Sequence, residues 1–249
     1  MQRLTAFIVP ALLLAAWYWA GEHAGIASIL LPAPDMVLSA FVDLAASGEL
    51  ARHIGMSAMR TLTGFALSAV VGVTLGIWFA AKPAAGRFFG FVIEALRLTP
   101  PLALIPVLIL WLGIDEAPKI AIVFLSSFFP VYLNTLSSVS HVDPKLKDVA
   151  RLLKFTAAET FRLLTMPAAL PGILTGLRLG FGYSWRALVG AELIAASSGL
   201  GFLISESAEF GKTDVVFVGI VTIVVLGIAA DRVISRVVEA ATRRIRRQA

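Results

Sequence analysis

The chain has 249 residues, 58% hydrophobic and 15% charged, with a mean hydropathy of +0.87. Soluble domains run near half apolar and a quarter charged, so this composition excludes a water-soluble enzyme, a disordered chain and a small secreted scaffold. With no cysteine there is no disulfide framework, thiolate nucleophile or cysteine zinc site, and the net charge of +5 has to be located before it is read as affinity for nucleic acid.

A helix that crosses a bilayer takes about 20 mostly apolar residues. Six such runs lie between the charge clusters, roughly at 4–20, 57–81, 88–112, 117–139, 171–195 and 215–234. None alternates with period 2, which points to helices and away from a β-barrel. The expectation is an all-α polytopic membrane protein with six transmembrane helices. The first run closes on Trp17, Tyr18 and Trp19, an interfacial aromatic belt, and is read as a retained span rather than a cleaved signal peptide. Residues 1–56 then hold the first span and an outer segment, and 57–249 form a core of five spans. In the outer segment Met36, Val37, Ala40, Phe41 and Leu44 follow helical spacing, as in a short amphipathic helix on the membrane or under a partner.

Sorting the basic residues by segment orients the chain. Fourteen Lys and Arg fall on the side that carries both termini, among them five on the 145–162 stretch and the Arg243–Arg247 cluster; Arg52, Lys119 and Lys212 are the three on the other side. The positive-inside rule then places both termini in the cytoplasm, and the basic tail reads as a headgroup anchor rather than a nucleic-acid site.

Span two carries Gly64, Ser68, Gly72 and Gly76, and span five Gly172, Gly176 and Gly180, each series four apart. Stripes of small residues let helix backbones approach closely in lipid, within one chain or across a dimer. Span three contains Pro100, Pro101 and Pro106, which remove amide donors, so the helix has to bend or break and the site has to face protein or a water-filled cavity. Thr99 is placed to satisfy a freed carbonyl.

The connection at 141–170 is too ordered for a linker. Asp143-Pro144 gives an N-cap and first-turn proline, with Leu146, Val149, Ala150 and Leu153 on one face; Thr156 precedes Glu159 by three as in a capping box. Two short helices at an angle, the second ending before Pro167, form a knob for a protein partner.

On these residues the chain resembles binding-protein-dependent ABC importer permeases. Their signature is Glu-Ala-Ala, three residues, Gly, nine residues, then Ile-x-Leu-Pro. It falls here on Asp148-Val149-Ala150, Lys154 and Leu164-Thr165-Met166-Pro167, with Lys154 standing where the family has Gly. A left-handed turn at that point would put steric strain on a lysine. The stretches 98–106, 167–171, 191–196 with Gly199-Leu200-Gly201, and Glu209-Phe210 with 213–216 resemble the taurine, aliphatic sulfonate and nitrate branch.

The resemblance implies the type I ABC importer permease fold and a homodimeric pore in a bacterial inner membrane. It implies two ABC ATPase subunits bound at the cytoplasmic loop and a periplasmic substrate-binding protein on the outer face, with no nucleic-acid partner. ATP and Mg would be used by the partner ATPase, with no cofactor bound by this chain. The docking residues would be Asp148, Ala150, Lys154, Phe155, Thr156, Glu159 and Phe161, with the two phenylalanines as apolar anchors. Thr99, Pro100, Pro101, Asn134, Arg186 and Glu192 are the candidates for the pathway or gate.

Gly211-Lys212-Thr213 ends like a P-loop, but the required first glycine falls on Glu206, so the match is chance. His23, His53 and His141 lack metal-ligand spacing. Glu94 and Arg97 are spaced to pair, and Arg178 and Arg186, eight apart, are expected to share a face. The rival function is a proton-coupled secondary transporter using Glu94 and Glu192, for which no inverted repeat is visible.

Overall fold

The computed structural model describes residues 8, 9, 12, 15–20 and 30–248. Of the first expected span, 4–20, residues 8, 9, 12 and 15–20 are described and are helical; the others lie outside the described residues. All regular elements among the described residues are helical. They are α1 (Pro34–Ala46), α2 (Glu49–Ala81), α3 (Pro83–Leu98), a 3₁₀ turn (Pro101–Leu104) and α4 (Ile105–Leu112). There follow α5 (Glu116–Ser140), α6 (Pro144–Leu152), α7 (Ala157–Thr160), a π turn (Phe161–Thr165), α8 (Met166–Ala195), α9 (Leu200–Glu209) and α10 (Thr213–Gln248).

Among the described residues four helices are long and apolar enough to cross a membrane: Glu49–Ala81, Glu116–Ser140, Ala157–Ala195 and Thr213–Thr242. They contain spans two, four, five and six of the sequence reading. Span three is not one kinked helix. Pro83–Leu98 and Pro101–Leu112 meet at 90°. Pro100 and Pro101 cannot donate the amides that would continue α3, so the helix ends at Thr99, whose Oγ1 donates to Ala95 O at 2.9 Å. Pro106 does not bend anything: it occupies the first turn of α4, where its missing N–H would have been unpaired.

The chain divides into two compact units, 1–57 with 192–225, and 58–191 with 226–249. In the larger unit α5 lies between two glycine-lined helices. A Cβ on Gly64 or Gly76 of α2 would come within 2.6 or 2.7 Å of Val123 or Thr135, and one on Gly176 or Gly180 of α8 within 2.6 Å of Asn134 or Val131. Gly72 also abuts Val131, so that one valine fills both seams. The seams therefore lie within one chain. Outward, Phe88, Phe91 and Leu110 are at least 80% exposed, the pattern of a surface that meets lipid or another apolar surface.

Three basic residues of this unit have partners. Arg60, fully buried in α2, makes a two-pronged contact with the Glu116 carboxylate, its Nη2 donating to Oε1 at 2.8 Å and its Nε to Oε2. Lys119 was expected as a loop cation; it is 3% exposed and donates to Asp115 O at 2.9 Å, because the first turn of α5 presents its carbonyls there. Arg178 and Asp231 form a bidentate pair at 3.0 and 3.1 Å.

The smaller unit holds α1, whose Val37 and Ala40 are buried while Met36 and Phe41 are exposed. It also holds α9, which ends in a Schellman motif: Gly211 at φ +68° donates to Ala208 O, and Lys212 N to Ser207 O at 2.8 Å. The P-loop-like Gly-Lys-Thr is thus a helix terminator.

Two predictions follow from this packing. Gly180→Ala should lower the thermal unfolding midpoint in detergent by the equivalent of about 1–3 kcal/mol of overpacking, while Gly90→Ala, with open space around it, leaves the midpoint unchanged. Glu116→Leu should be markedly more damaging than the double replacement Arg60→Leu/Glu116→Leu, as read by the same midpoint, because the single change takes the carboxylate away from a fully buried guanidinium.

Candidate functional site

The 141–170 loop is anchored at its base and capped at each turn. Val142 is buried with Val139, Ala169 and Ile173, and Leu146 packs on that cluster. Asp143 Oδ1 accepts from Lys145 N at 2.9 Å and starts α6. At the other end Lys154 N donates to Arg151 O at 3.1 Å and Phe155 N to Ala150 O at 2.9 Å, the two bonds of a Schellman motif. Lys154 occupies its left-handed position at φ +54°, the one non-glycine with positive φ among the described residues. The spacing of the signature alanine and glycine is therefore that of a helix C-cap: Ala150, 3% exposed, fills the inner face, and the fourth residue on takes the left-handed turn.

Thr156 and Glu159 then form the full capping box. Thr156 N donates to Glu159 Oε2 at 2.8 Å, and Glu159 N to Thr156 Oγ1 at 3.3 Å. The helix that starts here does not stop before Pro167 as expected. It passes through a π turn, in which Met166 N reaches Phe161 O, and continues into α8, giving one helix from Ala157 to Ala195. A π turn shifts the hydrogen-bond register, which lets the chain absorb a proline donor-gap without ending the helix. The loop thus has one free helix, α6, and a second that is the end of span five.

Exposure within the loop differs from the sequence expectation. Phe155 and Phe161 are half-buried, whereas Leu152 is 83%, Leu153 59% and Leu163 58% exposed. Asp148 is exposed and accepts from Arg151 Nη1 at 3.1 Å.

The pathway candidates fall into two places. Thr99, Pro101, Asn134 and Arg186 line one cavity of about 600 Å³, walled by the break after α3, by one face of α5 and by one face of α8. Pro100 sits in that break. Asn134 Nδ2 donates to Pro130 O at 2.8 Å beside the proline of α5. Arg186 lies over the Tyr183 ring at 5.8 Å. Arg178, eight residues away and so about 80° around the helix, does not reach the cavity and is the partner of Asp231 instead. Glu94 and Arg97 pair as expected, Arg97 Nε donating to Glu94 Oε2 at 3.0 Å.

Glu192 is elsewhere, in the smaller unit, as part of a buried cap on α9. Ser57 Oγ donates to its carboxylate at 2.8 Å and accepts from Leu200 N at 2.9 Å; Gly201 N donates to Glu192 Oε2 at 3.0 Å, and Gly199 N to His53 Nδ1 at 3.0 Å. The three amides at the start of α9 are thus all taken, one by the carboxylate itself, one by the serine that donates to it and one by His53, and a carboxylate suits the positive end of a helix. Gly199, at φ +114°, is held where a Cβ would run into the Glu192 carboxylate. His53, Ser57 and Arg60 were not singled out from the sequence. Their i, i+4, i+7 spacing at the start of an apolar run was the available signal.

If the left-handed turn strains Lys154, Lys154→Gly should raise the stability of the loop by about 1 kcal/mol and Lys154→Val lower it. Hydrogen exchange at the Phe155 amide, which closes the motif, would report both.

Residues 72–244 match the family of binding-protein-dependent transport system inner membrane components. The putative aliphatic sulfonates transport permease protein SsuC of Bacillus subtilis is 38% identical over 92% of this chain and 83% of its own length. The taurine transport system permease protein TauC of Escherichia coli is 35% identical over 87% and 80%. Among solved structures, a chain of the MetNI methionine ABC transporter in an inward-facing form superposes with a TM-score of 0.69, covering 80% of this chain and 98% of that one at 17% identity, a likeness of fold. The chain belongs to the inner membrane components of binding-protein-dependent transport systems, the permeases of ABC importers.

Proposed function

We propose that this permease imports a small anion, an aliphatic sulfonate or taurine first and a nitrate-like anion next, as half of a homodimeric pore. Two ATPase subunits dock on the 141–170 loop, use ATP and Mg, and drive alternating access; the permease binds no nucleotide itself. A periplasmic binding protein delivers substrate to the opposite face, and both termini are cytoplasmic in a bacterial inner membrane. Relatives named for aliphatic sulfonates and for taurine support the substrate class.

The observation that carries the docking role is the doubly capped loop with exposed Leu152, Leu153 and Leu163, joined without interruption to the helix that walls the cavity. Apolar side chains held out on a rigid turn suit a protein partner, and coupling needs contacts that differ between two states. The proton-coupled alternative has less behind it. Glu94 is engaged by Arg97, Glu192 by Ser57 and the α9 amides, and neither lines the cavity.

The test is uptake into proteoliposomes containing the permease, its ATPase and its binding protein. Uptake should require ATP and both partners, and Leu152→Ser/Leu163→Ser should reduce it by about tenfold or more without lowering the unfolding midpoint, as expected for loss of interface anchors. These exposed positions separate docking from folding better than the half-buried phenylalanines. Uptake that persists without an ATPase, or ignores the leucine changes, overturns the proposal.

A further inference from the structure

The cavity of about 600 Å³ contains one cation without a carboxylate partner. Among the basic side chains carried by the long helices, Arg60 is matched by Glu116, Arg178 by Asp231 and Lys119 by Glu116 and backbone carbonyls, while Arg52, Arg162, Arg232 and Arg236 are exposed and line no part of this cavity. Arg97, also on the cavity wall, is taken by Glu94. Arg186 makes no ion pair among the described residues, and its contact is the Tyr183 ring. Arg186 is an exposed guanidinium on the cavity wall, carried by a helix long and apolar enough to cross a membrane, and that wall supplies no anion to it.

The rest of the lining defines what that anion resembles. No Asp or Glu lines the cavity. Beside Arg186 stand Ser126 and Tyr183, hydroxyl donors with no hydrogen bond among the described residues, whereas the amide of Asn134 and the hydroxyl of Thr99 are already spent on backbone carbonyls. The remaining wall is apolar: Leu102, Leu125, Phe129, Leu133 and Leu179. One fixed cation with two hydroxyl donors suits a three-oxygen anionic head, and the leucines and phenylalanine suit a short hydrocarbon tail. An ammonium at the end of that tail would meet no carboxylate and would lose hydration without compensation.

We infer that this cavity is a substrate subsite of the pore itself, with Arg186 as its cation, and that it takes an alkanesulfonate in preference to a zwitterionic aminoalkanesulfonate. The inference rests on the importer reading above and adds a selectivity that belongs to the permease and not to the binding protein.

The test omits the binding protein. The permease with its ATPase subunits in lipid nanodiscs is titrated with radiolabelled butanesulfonate, and taurine is added as competitor. Saturable binding is expected, with taurine competing at least about tenfold more weakly, as for an uncompensated ammonium. Arg186→Gln should weaken binding by about tenfold or more, the loss of a charge-assisted bond, and Arg186→Lys should recover part of it. Ser126→Phe, which fills the cavity and leaves the arginine in place, should abolish binding, so the inference is still tested if the glutamine variant does not fold. Absence of saturable binding in a preparation that imports sulfonate with ATP and the binding protein overturns the subsite and leaves the importer standing. Equal competition by taurine, or binding indifferent to Arg186→Gln and Ser126→Phe, overturns it as well. Failure of both binding and uptake for every sulfonate removes the importer reading with it.

Discussion

Close backbone approach along α5 is the constraint on which the rest of the larger unit depends. In lipid, apolar side chains gain little by leaving one hydrocarbon environment for another, so helices associate where their surfaces fit. Glycines on α2 and α8 remove the side chains that would hold those helices away, and Val123, Val131, Asn134 and Thr135 of α5 fill the space. With α5 fixed on two sides, its remaining face carries Leu125, Ser126, Phe129, Pro130, Leu133 and Asn134 to the cavity. The cavity is thus what is left when the seams are closed.

The charges obey the same economy. A membrane interior tolerates an ionised side chain where a partner is held at the correct distance, and most of those in this chain are so held. Arg60 reaches Glu116, and Arg178 reaches Asp231 across 53 positions of sequence. Glu192 is engaged by a serine and by the amides of α9, an arrangement in which the carboxylate stabilises a helix start and the helix start stabilises the carboxylate. Against that background Arg186 stands out, because its surroundings offer donors and hydrocarbon but no negative charge.

Features written in local sequence were legible. The apolar runs gave the long helices, and Asp143 and the Thr156–Glu159 pair gave the loop its caps; the sequence leaves open whether Lys154, in a glycine position, keeps a left-handed turn, and the backbone keeps it at φ +54°. Features set by tertiary contact were not. Proline in span three implied a bend or a break, and the helix breaks there, but the 90° angle between the halves was not written in the prolines. Pro167 looked like a stop because proline usually ends a helix, and a single π turn was enough to carry the helix past it. Spacing of eight suggested that Arg178 and Arg186 share a face, yet about 80° of rotation is sufficient to send them to different partners. Of the pathway or gate candidates, four converge on one cavity, whereas Glu192, expected as a helix-positioning partner, is bound by Ser57, 135 positions distant, and by a helix start nine residues on.

The unbroken helix from Ala157 to Ala195 joins these parts physically. Its first turn is fixed to the loop by the capping box, and Leu179, Tyr183, Arg186 and Ala187 on its far half line the cavity. Between Phe161 and Arg186 the rise along the axis is about 38 Å, a distance that a hydrogen-bonded helix bridges with little internal give. The π turn at Phe161–Thr165 is the place where the ladder is in irregular register, and it lies between the loop and the glycine seam. A displacement at the loop therefore has two outlets: bending at the π turn, which would absorb it, or translation of α8 along its glycine seam, which would move Arg186 and Tyr183 relative to α5. The seam is interlocked, with Val131, Asn134 and Ser138 of α5 set into the gaps left by Gly180, Gly176 and Gly172, so α8 keeps its register on α5 and the irregular ladder of the π turn is the softer of the two.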